Sequence, residues 1–128
     1  EYVIEFGGET VDHSGNPIRL FPEATLSARW LARFGPITSN LRLYHVGKQY
    51  LDSTGLDERT IDAWTTVDLA LFGDLGRLVG PSLEGMQAFL RLNNLFDEEY
   101  ETWGYYYGEN NYIPGVPRHY TAGMNLAF

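Results

Sequence analysis

The sequence predicts an all-β chain, an antiparallel meander of short strands with one apolar and one polar face. Three observations predict it. Helical periodicity is hard to find along the 128 residues, and short alternating stretches between Gly, Pro, Asp and Asn clusters dominate. Nine Tyr, seven Phe and three Trp suit strands and interfacial belts better than helices. The last ten residues alternate strictly: Tyr120, Ala122, Met124, Leu126 and Phe128 fall on one face, with His119, Thr121, Gly123, Asn125 and Ala127 on the other. A strand closing on an aromatic residue in this way is patterned for lipid on its apolar face and a wet interior on its polar one.

Six strands are expected. The first covers about Tyr2 to Glu9 and is followed by a polar loop, Val11 to Pro17. The second, about Glu23 to Phe34, sets Ala24, Leu26, Ala28, Trp30, Ala32 and Phe34 against Thr25, Ser27, Arg29 and Arg33. Two arginines on one face require that face to be wet. Gly35-Pro36 gives a tight turn. The third strand, about Asn40 to Leu51, carries Leu41 and Leu43 opposite Arg42 and Tyr44, with a bulge expected near Gly47. After a polar loop, Asp52 to Asp62, the fourth strand runs from about Ala63 to Phe72, with Val67, Leu69 and Leu71 opposite Thr66, Asp68 and Ala70. A Gly-rich connection, Gly73 to Gly85, leads to the fifth strand, about Met86 to Phe96. There Met86, Ala88, Leu90 and Leu92 oppose Gln87, Arg91 and Asn93, and Phe89 breaks the pattern. A long aromatic loop, about Asp97 to Pro117, precedes the last strand.

The connections suit a membrane barrel, with the polar loops 10–22, 52–62 and 97–117 outside, and the short turn 35–39 and the intermediate, Gly-rich connection 73–85 in the periplasm. Tyr50, Trp64, Tyr100 and Trp103 are then expected at the outer boundary, and Phe34, Phe72 and Phe128 at the inner one. The net charge of −8, with Lys48 as the single lysine, argues against a nucleic-acid partner and against a peripheral helix on anionic lipid. Without cysteine there is no disulfide framework and no thiolate metal site. No apolar run approaches the roughly 20 residues of a spanning helix. The chain opens on Glu1-Tyr-Val-Ile-Glu-Phe-Gly, which a mature start and a truncation would equally produce.

Three segments carry a resemblance. Asn94-Leu95-Phe96-Asp97-Glu98-Glu99-Tyr100 resembles the NLFD-x-x-Y signature of TonB-dependent outer-membrane receptors. Pro114-Gly115-Val116-Pro117-Arg118 resembles their PGxPR element, and the terminal strand closing on Phe128 is the third matching piece. The likeness is sharp over about Met86 to Phe128 and looser upstream, at Trp64 to Asp68 and Val46 to Tyr50. It implies a transmembrane barrel of about 22 strands around a separate N-terminal plug. Residues 1–128 would be its C-terminal segment, the last six strands, without the plug or the part that contacts TonB. The implied function is energised uptake of a scarce ligand such as an iron–siderophore complex at the bacterial outer membrane. The implied partners are outer-membrane lipid, the rest of the barrel and its plug, the TonB complex, and the barrel-assembly machinery, which would read Tyr120, Met124, Leu126 and Phe128. On their own chemistry the motif residues are turn formers: Asn94 and Asp97 satisfy freed backbone groups, and Pro114, Gly115 and Pro117 break and then fix the chain.

Other chemistry is thin. Asp97, Glu98, Glu99, Glu101 and Glu109 are acidic without cation-loop spacing, and they read as a solvated loop. His13, His45 and His119 lack ligand spacing. Neither a catalytic constellation, a cofactor motif nor a metal site stands out, so no enzyme is expected. Trp103, Tyr105, Tyr106, Tyr107 and Tyr112 suit either loop packing or stacking on a ligand at a receptor mouth. Arg29, Arg33, Arg42 and Arg91 are expected to face a lumen, pairing with Asp68 or Glu84, holding the plug or guiding an anionic ligand. The same alternation also fits a soluble lipocalin-like β-domain around a small apolar ligand, or a fragment that pairs edge to edge with copies of itself.

Overall fold

A computed structural model describes the backbone of residues 3–6, 9–12 and 14–126, and the side chains of 14–126. The chain is all-β and antiparallel. Its strands are β1 (Val3–Phe6), β2 (Glu9–Asp12), β3 (Thr25–Phe34), β4 (Ile37–Val46), β5 (Gln49–Tyr50), β6 (Thr60–Ile61), β7 (Trp64–Asp74), β8 (Met86–Asn93), β9 (Glu101–Tyr106), β10 (Asn110–Pro114) and β11 (His119–Leu126). One four-residue helix, α1 (Leu75–Leu78), and a 3-10 turn, Pro81–Leu83, fill the β7–β8 connection.

Eleven strands stand among the described residues where six are expected, because one presumed loop holds a whole hairpin and two expected strands pair with segments of the loops that follow them. The expected first strand, Tyr2 to Glu9, is two strands, Val3↔Asp12 to Phe6↔Glu9, so Val11 and Asp12 leave the predicted loop. The expected third strand ends at Val46, and Gln49–Tyr50 pairs separately with Thr60–Ile61. The presumed aromatic loop contains the β9–β10 hairpin, Tyr106↔Asn110 to Trp103↔Ile113. Its turn is closed by Gly108 at φ 74°, the left-handed region glycine enters at no steric cost.

The chain forms two compact units. The first comprises residues 1–25, 46–64 and 100–115, and the second 26–45, 65–99 and 116–128. The first holds the short hairpins and a small core, Val46, Leu51 and Ile61, the buried hydrophobic side chains among the described residues. The second is a five-stranded sheet in the order β11-β8-β7-β4-β3, a meander of sequential neighbours whose edges, β3 and β11, have no outer partner strand among the described residues.

Candidate functional site

Strand registers give the sheet its two faces. Leu69, Leu92 and Tyr120 form one cross-strand row, Leu71, Leu90 and Ala122 the next, and Gly73, Ala88 and Met124 a third. These rows join the apolar alternation of three strands into one surface, because side chains directly opposite point the same way. Among the described residues it is covered only in part: Leu78 of α1 sits where a Cβ on Gly73 would stand, and Leu69, Leu71 and Leu92 are half-buried. Leu26, Trp30, Phe34 and Leu90 are exposed, Tyr120 keeps 79% of its surface open and Met124 67%. A soluble monomer rarely leaves so wide an apolar face this exposed.

The opposite face is polar. Its rows include Ala70–Arg91–Thr121 and Asp74–Gln87–Asn125. Phe89, the exception in its strand, belongs to the row Phe72–Phe89–Gly123. A Cβ on Gly123 would stand 2.7 Å from Phe89 Cζ, so the ring lies where that glycine leaves room. Phe72 shares this polar face with Asp68 and Ala70, and this corrects its expected place in a lipid-facing girdle. Phe34 is exposed. Phe128 and His13 lie outside the described residues.

On that face Arg29, Asn40, Arg42, Asp68, Ala70, Arg91 and Asn93 line a recess of about 360 Å³. Arg42 donates through Nε (3.1 Å) and Nη2 (2.6 Å) to one oxygen of Asp68. Arg29 Nε donates to Asn40 Oδ1 at 2.9 Å. Arg91 stands over the rings of Phe89 (5.2 Å) and Phe72 (6.0 Å). Arg33 does not line the recess.

The other oxygen of Asp68 accepts the backbone N–H of Asn94 at 3.0 Å. Asn94 is buried, 4% exposed, at a left-handed φ of 51°. Its Nδ2 donates to the carbonyls of Glu98 (2.9 Å) and Val116 (3.2 Å), and its Oδ1 accepts the Glu98 N–H (2.9 Å). Asp97, at φ 59°, accepts the Arg118 N–H at 3.1 Å and pairs with its guanidinium at 3.2 Å. Leu95 donates to the Val67 carbonyl at 2.7 Å, and Phe96 is exposed. These residues therefore clip the end of β8 to the segment entering β11. Turn chemistry alone, as read from the sequence, misses the long-range half of these bonds.

In the first unit, Tyr100 stacks on Trp64 at 4.3 Å between centroids, and its ring fills the space that a Cβ on Gly115 would need. The Gly115 N–H donates to the Tyr100 carbonyl at 2.6 Å. Of the aromatic hairpin, Tyr106 lies under the Arg59 guanidinium (3.7 Å), and the Tyr112 hydroxyl donates to the Thr60 carbonyl (3.0 Å). Trp103 and Tyr105 pair at 5.6 Å on the other side of β9, and Tyr107 is 85% exposed at the tip. All five residues keep a good part of their surface exposed, Tyr107 the most.

Between β4 and β7, Lys48 pairs with Asp57 at 3.0 Å, and Arg59 with Asp52 at 2.7 Å. Tyr50 and Asp57 raise the Lys48 ammonium well above its usual value, and Lys48 in turn lowers the Asp57 carboxyl. At Asp52 desolvation opposes ionisation, but hydrogen bonds from Thr54 and Arg59 outweigh it and hold the carboxyl below its usual range. The acidic residues split between the units, and no metal-holding group of His, Asp and Glu occurs among the described residues. His45 contacts Thr65 Oγ1 (2.9 Å), and His119 contacts the Pro117 carbonyl (3.1 Å).

The chain is similar in fold to the ferric yersiniabactin uptake receptor FyuA from Yersinia pestis. The TM-score is 0.64 and the sequence identity 22%, covering 94% of this chain. The chain spans 18% of the length of that receptor. No protein-family model matches, and no curated protein matches significantly.

Proposed function

We infer that this chain is the C-terminal barrel segment of a TonB-dependent outer-membrane receptor that takes up a scarce ligand such as an iron–siderophore complex. The observation that carries the reading is the open antiparallel meander with a largely exposed apolar face backing a polar one. Lipid covers the first and a wet lumen the second. The likeness to an uptake receptor and the two motif segments support it. A closed lipocalin-like barrel fits less well, because among the described residues β3 and β11 have no outer partner strand and Leu26, Trp30, Phe34, Leu90, Tyr120 and Met124 are exposed.

In this reading the rest of the barrel pairs with the two edges, the plug occupies the lumen, and the TonB complex acts through that missing part. Transport therefore belongs to the whole receptor. Tyr120, Met124, Leu126 and Phe128 present the stripe that the assembly machinery reads. Trp103, Tyr105, Tyr106, Tyr107 and Tyr112 are the hairpin aromatics open to a ligand, Tyr107 most of all, while Arg59 and the Thr60 carbonyl orient Tyr106 and Tyr112.

The absence of native cysteine allows a direct test. Met124→Cys and Leu90→Cys should resist a water-soluble maleimide in lipid vesicles, whereas Thr121→Cys and Asn125→Cys should react. Labelling of the first pair at the rate of the second would remove the lipid face and with it the receptor reading.

A further inference from the structure

We propose that the recess bounded by Arg29, Arg42 and Arg91 is a binding site for a small polycarboxylate ligand. Its access from a lumen rests on the barrel-segment reading, but the site itself stands on geometry. The chain as a whole carries −8, yet this recess gathers three of its nine cationic side chains around one carboxylate, Asp68. Local charge, not net charge, decides where an anion settles.

The three guanidinium groups are prepared to different degrees. Arg42 is already engaged, with two nitrogens on a single oxygen of Asp68. Asp68 thereby shows how a carboxylate sits among these side chains. Arg29 is oriented through Nε by Asn40, and among the described residues its terminal amino groups have no acidic partner. Arg91 likewise lacks one there, and its guanidinium stands 5.2 Å from the Phe89 ring centre and 6.0 Å from that of Phe72. A guanidinium fork fixed on its stem matches a carboxylate with little loss of side-chain freedom. Ala70 sits among them in the lining, and its single methyl keeps the recess open. The amides of Asn40 and Asn93 add neutral groups for the remaining oxygens or hydroxyls of a ligand.

The probe is citrate, measured by equilibrium dialysis against the full chain in detergent micelles at fixed ionic strength. Arg91→Gln, Arg29→Gln and Ala70→Leu should each weaken citrate binding at least tenfold. Arg77→Gln, on α1 outside the recess, should leave it unchanged. Ala70→Leu is the critical variant, because it blocks space without altering charge. Equal binding by the native chain and Ala70→Leu, or equal losses with Arg77→Gln, would identify diffuse attraction and overturn the site. The absence of binding to a chain shown by circular dichroism to be folded would overturn it too. Folding without detergent would instead remove the membrane reading, and the citrate titration would still be measurable.

Discussion

Removing the Asn94 side chain tests the clip between β8 and β11 most sharply. Asn94→Ala deletes three hydrogen bonds and leaves the carbonyls of Glu98 and Val116 and the N–H of Glu98 without those partners. The Asn94 side chain is buried although Glu98 and Val116 are exposed, and each loss costs about 1 kcal/mol net. The backbone at φ 51° adds a second penalty of about 1 kcal/mol, since alanine tolerates the left-handed region less well than asparagine. The expected loss is about 4 kcal/mol. Asn94→Gly removes the same hydrogen bonds but not the backbone freedom, so it should be milder by about 1 kcal/mol. Urea unfolding in detergent micelles, followed by circular dichroism, measures both. An Asn94→Ala loss below about 1 kcal/mol would refute the hydrogen-bond argument. A glycine variant less stable than the alanine one would refute the backbone argument.

The same assay serves three further predictions. Gly123→Ala should cost about 1–3 kcal/mol by pushing the Phe89 ring off its strand, with most of the loss recovered when Phe89→Leu accompanies it. Gly115→Ala should displace Tyr100 from Trp64 at a cost of about 2 kcal/mol and alter near-ultraviolet dichroism; an unchanged spectrum would contradict the stack. Asp52 titrates below its free value when folded, so its contribution is present at neutral pH and fades as pH falls through about 4 and below. Asp52→Asn should therefore cost about 1 kcal/mol at pH 7 and progressively less as the pH falls below about 4; a loss that does not change with pH would contradict the ion pair.

The two faces of the sheet were legible because strand alternation has a period of two and survives in a single sequence. Tyr120, Met124 and Leu126 lie opposite Leu92, Ala88 and Met86, apolar against apolar, as that pattern requires. Phe89 was not legible alone, since its explanation is the glycine opposite it on β11, 34 positions away along the chain. The β9–β10 hairpin escaped because three successive tyrosines, Tyr105 to Tyr107, break the alternation. Gly108 after them was the available turn signal. Asn94 and Asp97 were recognisable as strand-end residues, but their long-range partners, Asp68, Val116 and Arg118, exist only once the strands are in register. The arginine recess was half visible. Alternation put Arg29, Arg42 and Arg91 on the polar face, whereas Asn40 and the opening at Ala70 depend on how neighbouring strands align.

The apolar face of the five-stranded sheet is the centre of the account, and its solvent can be measured directly. Sedimentation of the purified chain with and without detergent, alongside circular dichroism, tests it. The account predicts aggregation or loss of β-structure in plain buffer and a folded, monodisperse species in detergent. A folded, monodisperse monomer in plain buffer would contradict it, since Leu90, Tyr120 and Met124 would then be buried within the protein.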